Sequence, residues 1–186
     1  YIAFSSGIYG TTLGHCHPRI TAAVQKYAKT LMNCHDFTTE IKTRLVEKMA
    51  QCLPGHLKGY QFYDCGTAAV EAGMRICRAV TGKHEFLSCF NDFHGKTYGA
   101  VSLAEIRSGV YGPTRAPGCH MVPRPNPYRP HWTRPDGSID TDRYIAFYEE
   151  YLDRGTAHQV AAFVVEPIQG WGGSVLPPDD FFPKLR

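Results

Sequence analysis

The sequence predicts an α/β fold: a mostly parallel sheet flanked by helices. Two observations carry that expectation. The aromatic stretch Gly59-Tyr60-Gln61-Phe62-Tyr63 and the stretch Glu85-Phe86-Leu87-Ser88-Cys89-Phe90 read as short strands, with a helix rich in Ala, Met, Ile and Arg between them. Strand, helix and strand in about 30 residues make a crossover unit, whose two strands should be parallel. Further on, Val160-Ala161-Ala162-Phe163-Val164-Val165 is continuously apolar, as a strand buried on both faces should be.

Each element has its own local signal. Pro18 suits the first turn of a helix. Ile20, Ala23, Val24, Tyr27 and Leu31 then recur at helical spacing, which predicts an amphipathic helix over residues 18–31. A second helix follows Thr38 or Thr39, with Ile41, Leu45, Met49 and Leu53 on one face, and Pro54-Gly55 ends it. A glycine turn at Gly66 opens a third helix from Thr67 to about Thr81, closed by Gly82. Residues 97–106 read as a short helix and His120-Met121-Val122 as a short strand. From Pro123 to Gly137 the chain is proline-rich and polar, which predicts a long surface loop. Asp140 caps a helix carrying Ile145, Tyr148, Tyr151 and Leu152. The last residues, with Asp179 or Asp180 as N-cap, read as the start of another helix.

Composition excludes more than it identifies. With 43% hydrophobic and 20% charged residues in a chain of 186, neither a disordered tail nor a membrane protein is expected. The longest apolar run, Val160 to Val165, is far too short to span a bilayer. Lys and Arg number 20 against 17 Asp and Glu, and no basic tract of the nucleic-acid-binding kind stands out. The seven cysteines are scattered and never spaced C-x-x-C, so reduced, mostly buried thiols are expected and no disulfide framework or zinc knuckle. The chain opens on Tyr1 without a secretory signal and reads as an internal piece of a longer protein.

Three segments carry chemistry. In Asp64-Cys65-Gly66-Thr67-Ala68-Ala69 a strand ends, a glycine turn follows and a helix begins. The first N–H groups of a helix lack intrahelical partners, and its dipole there favours an anion such as phosphate. Many such turns bind nothing, and the spacing fits neither standard phosphate-loop motif. Asn91-Asp92-Phe93-His94-Gly95-Lys96-Thr97 follows the next strand, at the carboxyl edge where open α/β sheets bind ligands. An aromatic ring, a His and a cation in a row suit a charged planar ring; an ordinary loop with a core-packed Phe is the alternative. Glu166-Pro167-Ile168-Gln169-Gly170-Trp171-Gly172-Gly173 puts a carboxylate and an amide at the end of a buried strand, where a plain surface Glu is the alternative.

Together these motifs resemble those of the class III aminotransferases, pyridoxal-phosphate (PLP) enzymes of fold type I that include the acetylornithine, ornithine and 4-aminobutyrate aminotransferases. Gly7-Ile8 and Leu13-Gly14-His15-Cys16-His17-Pro18 resemble the family's G-I and L-G-H-x-H-P signature. Gly66-Thr67-Ala68-Ala69-Val70-Glu71-Ala72 resembles its S-G-T-E-A-x-E-A turn, Phe93-His94-Gly95-Lys96-Thr97 its F-H-G-R-T, and Glu166-Pro167-Ile168-Gln169-Gly170 its E-P-[IV]-Q-G. The match is collinear over nearly the whole chain.

The resemblance implies a cofactor site formed by Gly66, Thr67, Phe93, His94, Glu166 and Gln169. Gly66 and Thr67 would hold the phosphate through backbone N–H groups, Phe93 would stack on the pyridine ring, and Gln169 would lie near the ring hydroxyl. Lys96 and Trp171 would face substrate. Lys96 falls where many members carry an Arg for the substrate carboxylate; it keeps the charge and loses the bidentate fork. Trp171 stands where the 4-aminobutyrate branch often has Glu, and Ala68 replaces a common Glu.

The resemblance also implies that the Schiff-base lysine and the Asp that pairs with the pyridinium nitrogen lie beyond this chain, so no catalytic residue is assigned within it and the chain alone is expected to be inactive. Residues 1–55 are read as an N-terminal segment with connecting helices, and residues 56–186 as an incomplete part of the large PLP-binding domain. The expected activity is transfer of an amino group from an amino acid or other amine to a 2-oxo acid. The expected setting is a cytoplasmic homodimer, with no metal, nucleic acid or membrane partner. A PLP-dependent racemase of the same family and a non-catalytic truncated paralogue are the alternatives.

Overall fold

The computed structural model describes residues 6–105 and 115–186. The chain forms two compact units, Tyr1–Gln61 and Phe62–Arg186.

The first unit is helical. One turn, α1 (Ser6–Tyr9), has Gly7 and Ile8 in the left-handed region and is not a regular helix. Helix α2 (Pro18–Ala28) starts on Pro18, as expected, but stops three residues before Leu31. Thr30 turns the chain there: its hydroxyl and its N–H both donate to the Tyr27 carbonyl, at 3.0 Å each, so the N–H leaves the helical bond to Lys26. Helix α3 (Glu40–Cys52) is capped by Thr39, whose side chain accepts from the Lys42 N–H. No described residue of this unit is buried, and Ile20, Val24, Ile41 and Leu45 are exposed.

The second unit holds the sheet. Helix α4 (Gly66–Thr81) ends on Gly82, whose left-handed conformation (φ 68°) reverses the chain. Strand β1 (Glu85–Cys89) follows, then α5 (Tyr98–Ser102), β2 (Cys119–Val122), α6 (Thr141–Arg154), β3 (Val160–Phe163) and α7 (Phe181–Leu185). The strand order is β2-β1-β3 and both pairings are parallel. Period-two alternation sends Phe86 to one face of β1 and Leu87 and Cys89 to the other. On the first face Phe86 packs with Met74 of α4 and with Leu103. On the second, Leu87, Cys89 and Val122 pack with Tyr144 and Tyr148 of α6 and Phe181 of α7. Asp140 caps α6 by accepting from the Arg143 N–H. Asp180 precedes α7, but its carboxylate takes the Thr141 hydroxyl and the Lys184 ammonium instead of capping the helix.

Several expectations are corrected. Residues 59–63 form no strand. β1 is already paired on both sides, and β-propensity does not make a strand without a neighbour to pair with. The parallel pairs are therefore β1 with β2 and β1 with β3, not a strand at 59–63 with β1. Strand β3 is half-buried, not fully buried, because it lies at the edge of this sheet; all five residues of β1 are buried instead. The helix expected over 97–106 ends at Ser102, whose hydroxyl donates to the Tyr98 carbonyl and accepts from the Ala116 N–H; residue 106 lies outside the described residues. The proline-rich loop begins inside the protein, with Arg124 and Pro125 buried. All seven cysteines are free, but only Cys89 is buried: Cys16, Cys52 and Cys65 sit in exposed turns and helix ends.

Candidate functional site

Helix α4 leads through the Gly82 turn into β1, so its first turn lies near the carboxyl end of that strand. Cys65 precedes it without a side-chain cap, and among the described residues the N–H groups of Gly66, Thr67 and Ala68 meet no acceptor. A Cβ on Gly66 would face open space. These are the free donors and the access that a phosphate needs.

The loop after β1 closes against this turn. Gly95 has φ +142°, and a Cβ there would lie 2.6 Å from Thr67 Oγ1 and 2.8 Å from Ala100 Cβ, so only glycine fits where the two segments touch. Glu71 of α4 braces the same loop by accepting from the Thr97 hydroxyl and from the N–H groups of Gly99 and Ala100, at 2.5, 3.0 and 3.1 Å.

The loop after β3 joins through Glu166. One carboxylate oxygen accepts from the Phe93 N–H at 2.9 Å and the other from the Gly170 N–H at 3.1 Å. The Phe93 and Trp171 rings pack 5.6 Å apart and tilted by 31°, with Trp171 largely exposed. Gln169 is buried; its amide donates to the Phe90 carbonyl at 2.6 Å and to Asp92 at 2.8 Å, which leaves its oxygen as an acceptor. The His94 side chain is only 6% exposed and turns to Asp92, with Nε2 3.5 Å from the carboxylate and without hydrogen-bond geometry. Lys96 is exposed and makes no hydrogen bond or ion pair among the described residues.

Sequence reasoning gave no role to three residues that hold these segments: Glu71, Asp92 and Arg124. Arg124 follows β2 and is buried; its guanidinium donates to the Glu166 carbonyl at 2.6 Å, the Pro167 carbonyl at 3.2 Å and Asp92 at 3.4 Å. The available signal was a pair of opposite charges just past the carboxyl ends of two strands. Nearby, burial foremost, with Asp92 adding to it, holds the Cys89 thiol far above its usual range, so it is no nucleophile. A cleft of about 790 Å³ opens behind this network, lined by Phe90, Asn91, Arg124, Gln169 and Gly172; it does not include Gly66, Thr67 or Phe93.

Unpaired helix-terminal donors, an aromatic ring on the loop that closes against them and a carboxylate-braced turn fit a phosphorylated aromatic ligand such as PLP. The chain is 29% identical over 188 residues to an acetylornithine aminotransferase of Methanosarcina acetivorans, covering 100% of this chain and 42% of that protein. It is also 29% identical over 198 residues to an alanine/serine racemase of Pyrococcus horikoshii, covering 100% of this chain and 41% of that protein. Among solved structures, a PLP-bound amine transaminase from an uncultivated Pseudomonas species superposes with a TM-score of 0.80 at 26% identity, over 98% of this chain and 44% of that one. The chain therefore spans about two fifths of the length of the curated relatives it matches. The family model for class-III aminotransferases matches residues 1–186, and the chain belongs to that family, whose members use PLP.

Proposed function

We propose that the protein containing this chain is a PLP-dependent aminotransferase that moves an amino group from an amino acid or other amine to a 2-oxo acid. The observation that carries this reading is the meeting of the Gly66 turn, the Phe93 loop and the Glu166 loop at one sheet edge. When bound, PLP supplies the electron sink that lets the substrate Cα proton leave.

The residues of this chain bind and orient. The N–H groups of Gly66 and Thr67, with the α4 dipole behind them, hold the phosphate. Phe93 covers the pyridine ring, and Glu166 fixes the backbone of Phe93 through its N–H. The Gln169 oxygen, left free by its two donor contacts, would accept from the ring hydroxyl. His94 sits buried against Asp92 and supports the same loop. Lys96 attracts a substrate carboxylate, and Trp171 forms an apolar wall beside Phe93. In this reading residues 1–55 are an N-terminal segment with connecting helices, and residues 56–186 are part of the large PLP-binding domain. The cofactor-anchoring lysine and the Asp at the pyridinium nitrogen come from the rest of the protein. In this reading the protein acts as a cytoplasmic homodimer, with the cofactor at the interface.

The test uses the full-length protein with PLP, an amine donor and a 2-oxo acid. Stoichiometric amino transfer is expected, and borohydride should fix the cofactor to one lysine outside residues 1–186. Borohydride fixation on Lys96, or no transfer with any donor, would overturn the reading. The similarity to an alanine/serine racemase favours a second reading, racemisation in the same pocket. A single L-amino acid without an oxo acid separates the two: a racemase forms the D-isomer, and an aminotransferase stops after one half-turnover.

A further inference from the structure

Arg124 is the one side chain among the described residues that reaches the loops after both β1 and β3 from the end of β2. Its two terminal nitrogens reach two consecutive carbonyls, those of Glu166 and Pro167. Asp92 is fully buried beside it. One Asp92 oxygen takes the Arg124 and Gln169 donors, and the other accepts from the Cys89 N–H at 3.1 Å. Glu166, held by its own carbonyl, grips the Phe93 N–H. A chain of contacts thus runs from the buried pair to the backbone that carries the Phe93 ring.

We infer that Asp92 and Arg124 are positioning residues that set Phe93 against the cofactor ring by locking the loop after β1 to the loop after β3. The inference rests on the PLP reading above. A lysine at 124 would keep the charge but lose the rigid fork whose two nitrogens reach the Glu166 and Pro167 carbonyls from separate positions. An asparagine at 92 would keep the shape and lose the anion that holds Arg124. Either change should let the Glu166 segment shift, and Phe93 would follow it. Small displacements of a binding group are costly, because the contacts depend on geometry held within fractions of an ångström.

The test compares full-length Arg124→Lys and Asp92→Asn with Glu85→Gln, which alters a buried carboxylate at the opposite end of β1. The readouts are Kd for PLP by titration of apo-enzyme, the visible circular dichroism of bound PLP, and Tm. Arg124→Lys and Asp92→Asn should weaken PLP about tenfold and reduce the dichroism per bound cofactor. Glu85→Gln should lower Tm while Kd stays within about twofold of the parent. Adding Phe93→Ala to Arg124→Lys should weaken PLP no further than Phe93→Ala alone, since the lock acts through that ring.

If the Asp92 and Arg124 variants change Tm but leave Kd and dichroism as Glu85→Gln does, the pair is structural and the inference fails. If Arg124→Lys does not fold, Asp92→Asn carries the test; if neither folds, the pair is a folding element and the inference is wrong. A Phe93→Ala enzyme with unchanged Kd for PLP would instead overturn the assignment of the cofactor face.

Discussion

The two ends of strand β1 each bury a carboxylate, and they use it differently. At the amino end Glu85 closes backbone: it accepts from the N–H groups of Ala157 and Gln159, both at 3.0 Å, and lies 3.1 Å from His120 Nε2. His120 Nδ1 in turn lies 3.4 Å from the Tyr151 hydroxyl, so the shell is complete. At the carboxyl end Asp92 is surrounded by side chains from the loops after all three strands: His94, Arg124 and Gln169. There His94 Nε2 and Arg124 Nε are buried without a hydrogen-bond partner. One edge consumes its polar groups to seal the fold. The other leaves some unmatched and leaves the α4 N–H groups free, as a binding edge must. Burial of charge alone therefore does not mark a site; the unpaired donors around it do.

Four tests break or sharpen that contrast, from the largest effect to the smallest. Gly95→Ala should be the most damaging, because its Cβ would overlap both Thr67 and Ala100 at a positive φ. A loss of about 2–4 kcal/mol is expected from overpacking and strain together, read by urea denaturation. Gly118→Ala at the amino edge meets Glu85 Cγ at 3.3 Å, so that side chain must yield by a few tenths of an ångström, and with the cost of φ +77° the loss should be smaller, about 1–2 kcal/mol. Equal losses at the two glycines would erase the difference in crowding between the edges.

Next, in the full-length enzyme, Phe93→Ala should release PLP on dialysis while Lys96→Ala retains it and raises KM. A stacked ring contributes on the order of 1 kcal/mol beyond burial to every state of the bound cofactor, whereas an exposed cation meets only substrate. The opposite pattern would show the two roles to be exchanged.

The third test is pH. Burial raises the Glu85 pKa, but hydrogen bonds from Ala157, His120 and Gln159 outweigh it and hold the carboxyl below its ordinary value of 4.5. A depressed pKa stabilises the folded chain above the unfolded value, and that contribution is lost as pH falls through the folded value. Tm should therefore fall below about pH 4.5 in the parent, and more shallowly in Glu85→Gln. An unchanged acid limb in the variant would remove Glu85 from the account. Smallest of all, Asp142→Asn, which breaks exposed pairs with Arg134 and Lys184, should shift Tm little, and by nothing measurable in high salt. A large shift would mean that surface charge, not either edge, governs stability.

Much of the fold was legible in the sequence wherever a signal acts within one turn. Pro18, Thr39, Gly82 and Asp140 mark helix ends in the structure as they do in the sequence. The signals failed where the outcome depends on distant neighbours. Residues 59–63 are aromatic enough for a strand but have no strand beside them, and β3 is apolar enough for full burial but lies at an edge. The site followed the same rule. Its three segments could be read from their motifs, while the pairing of Asp92 with Arg124, 32 residues apart, could not, although each charge stands visibly just past a strand end.

By itself the sequence determined the helix ends marked by Pro18, Thr39, Gly82 and Asp140, the parallel α/β class and the family, because caps, glycine turns and collinear motifs are properties of short stretches of chain. Only the tertiary structure decided which strand is central, which cysteine is buried, that Gln169 points its N–H groups inward, and that Arg124 ties two loops together. Those outcomes depend on which groups meet after the sheet has assembled. A buried donor or acceptor takes whatever partner the packed neighbours bring within reach, and that partner is not written in the residues beside it.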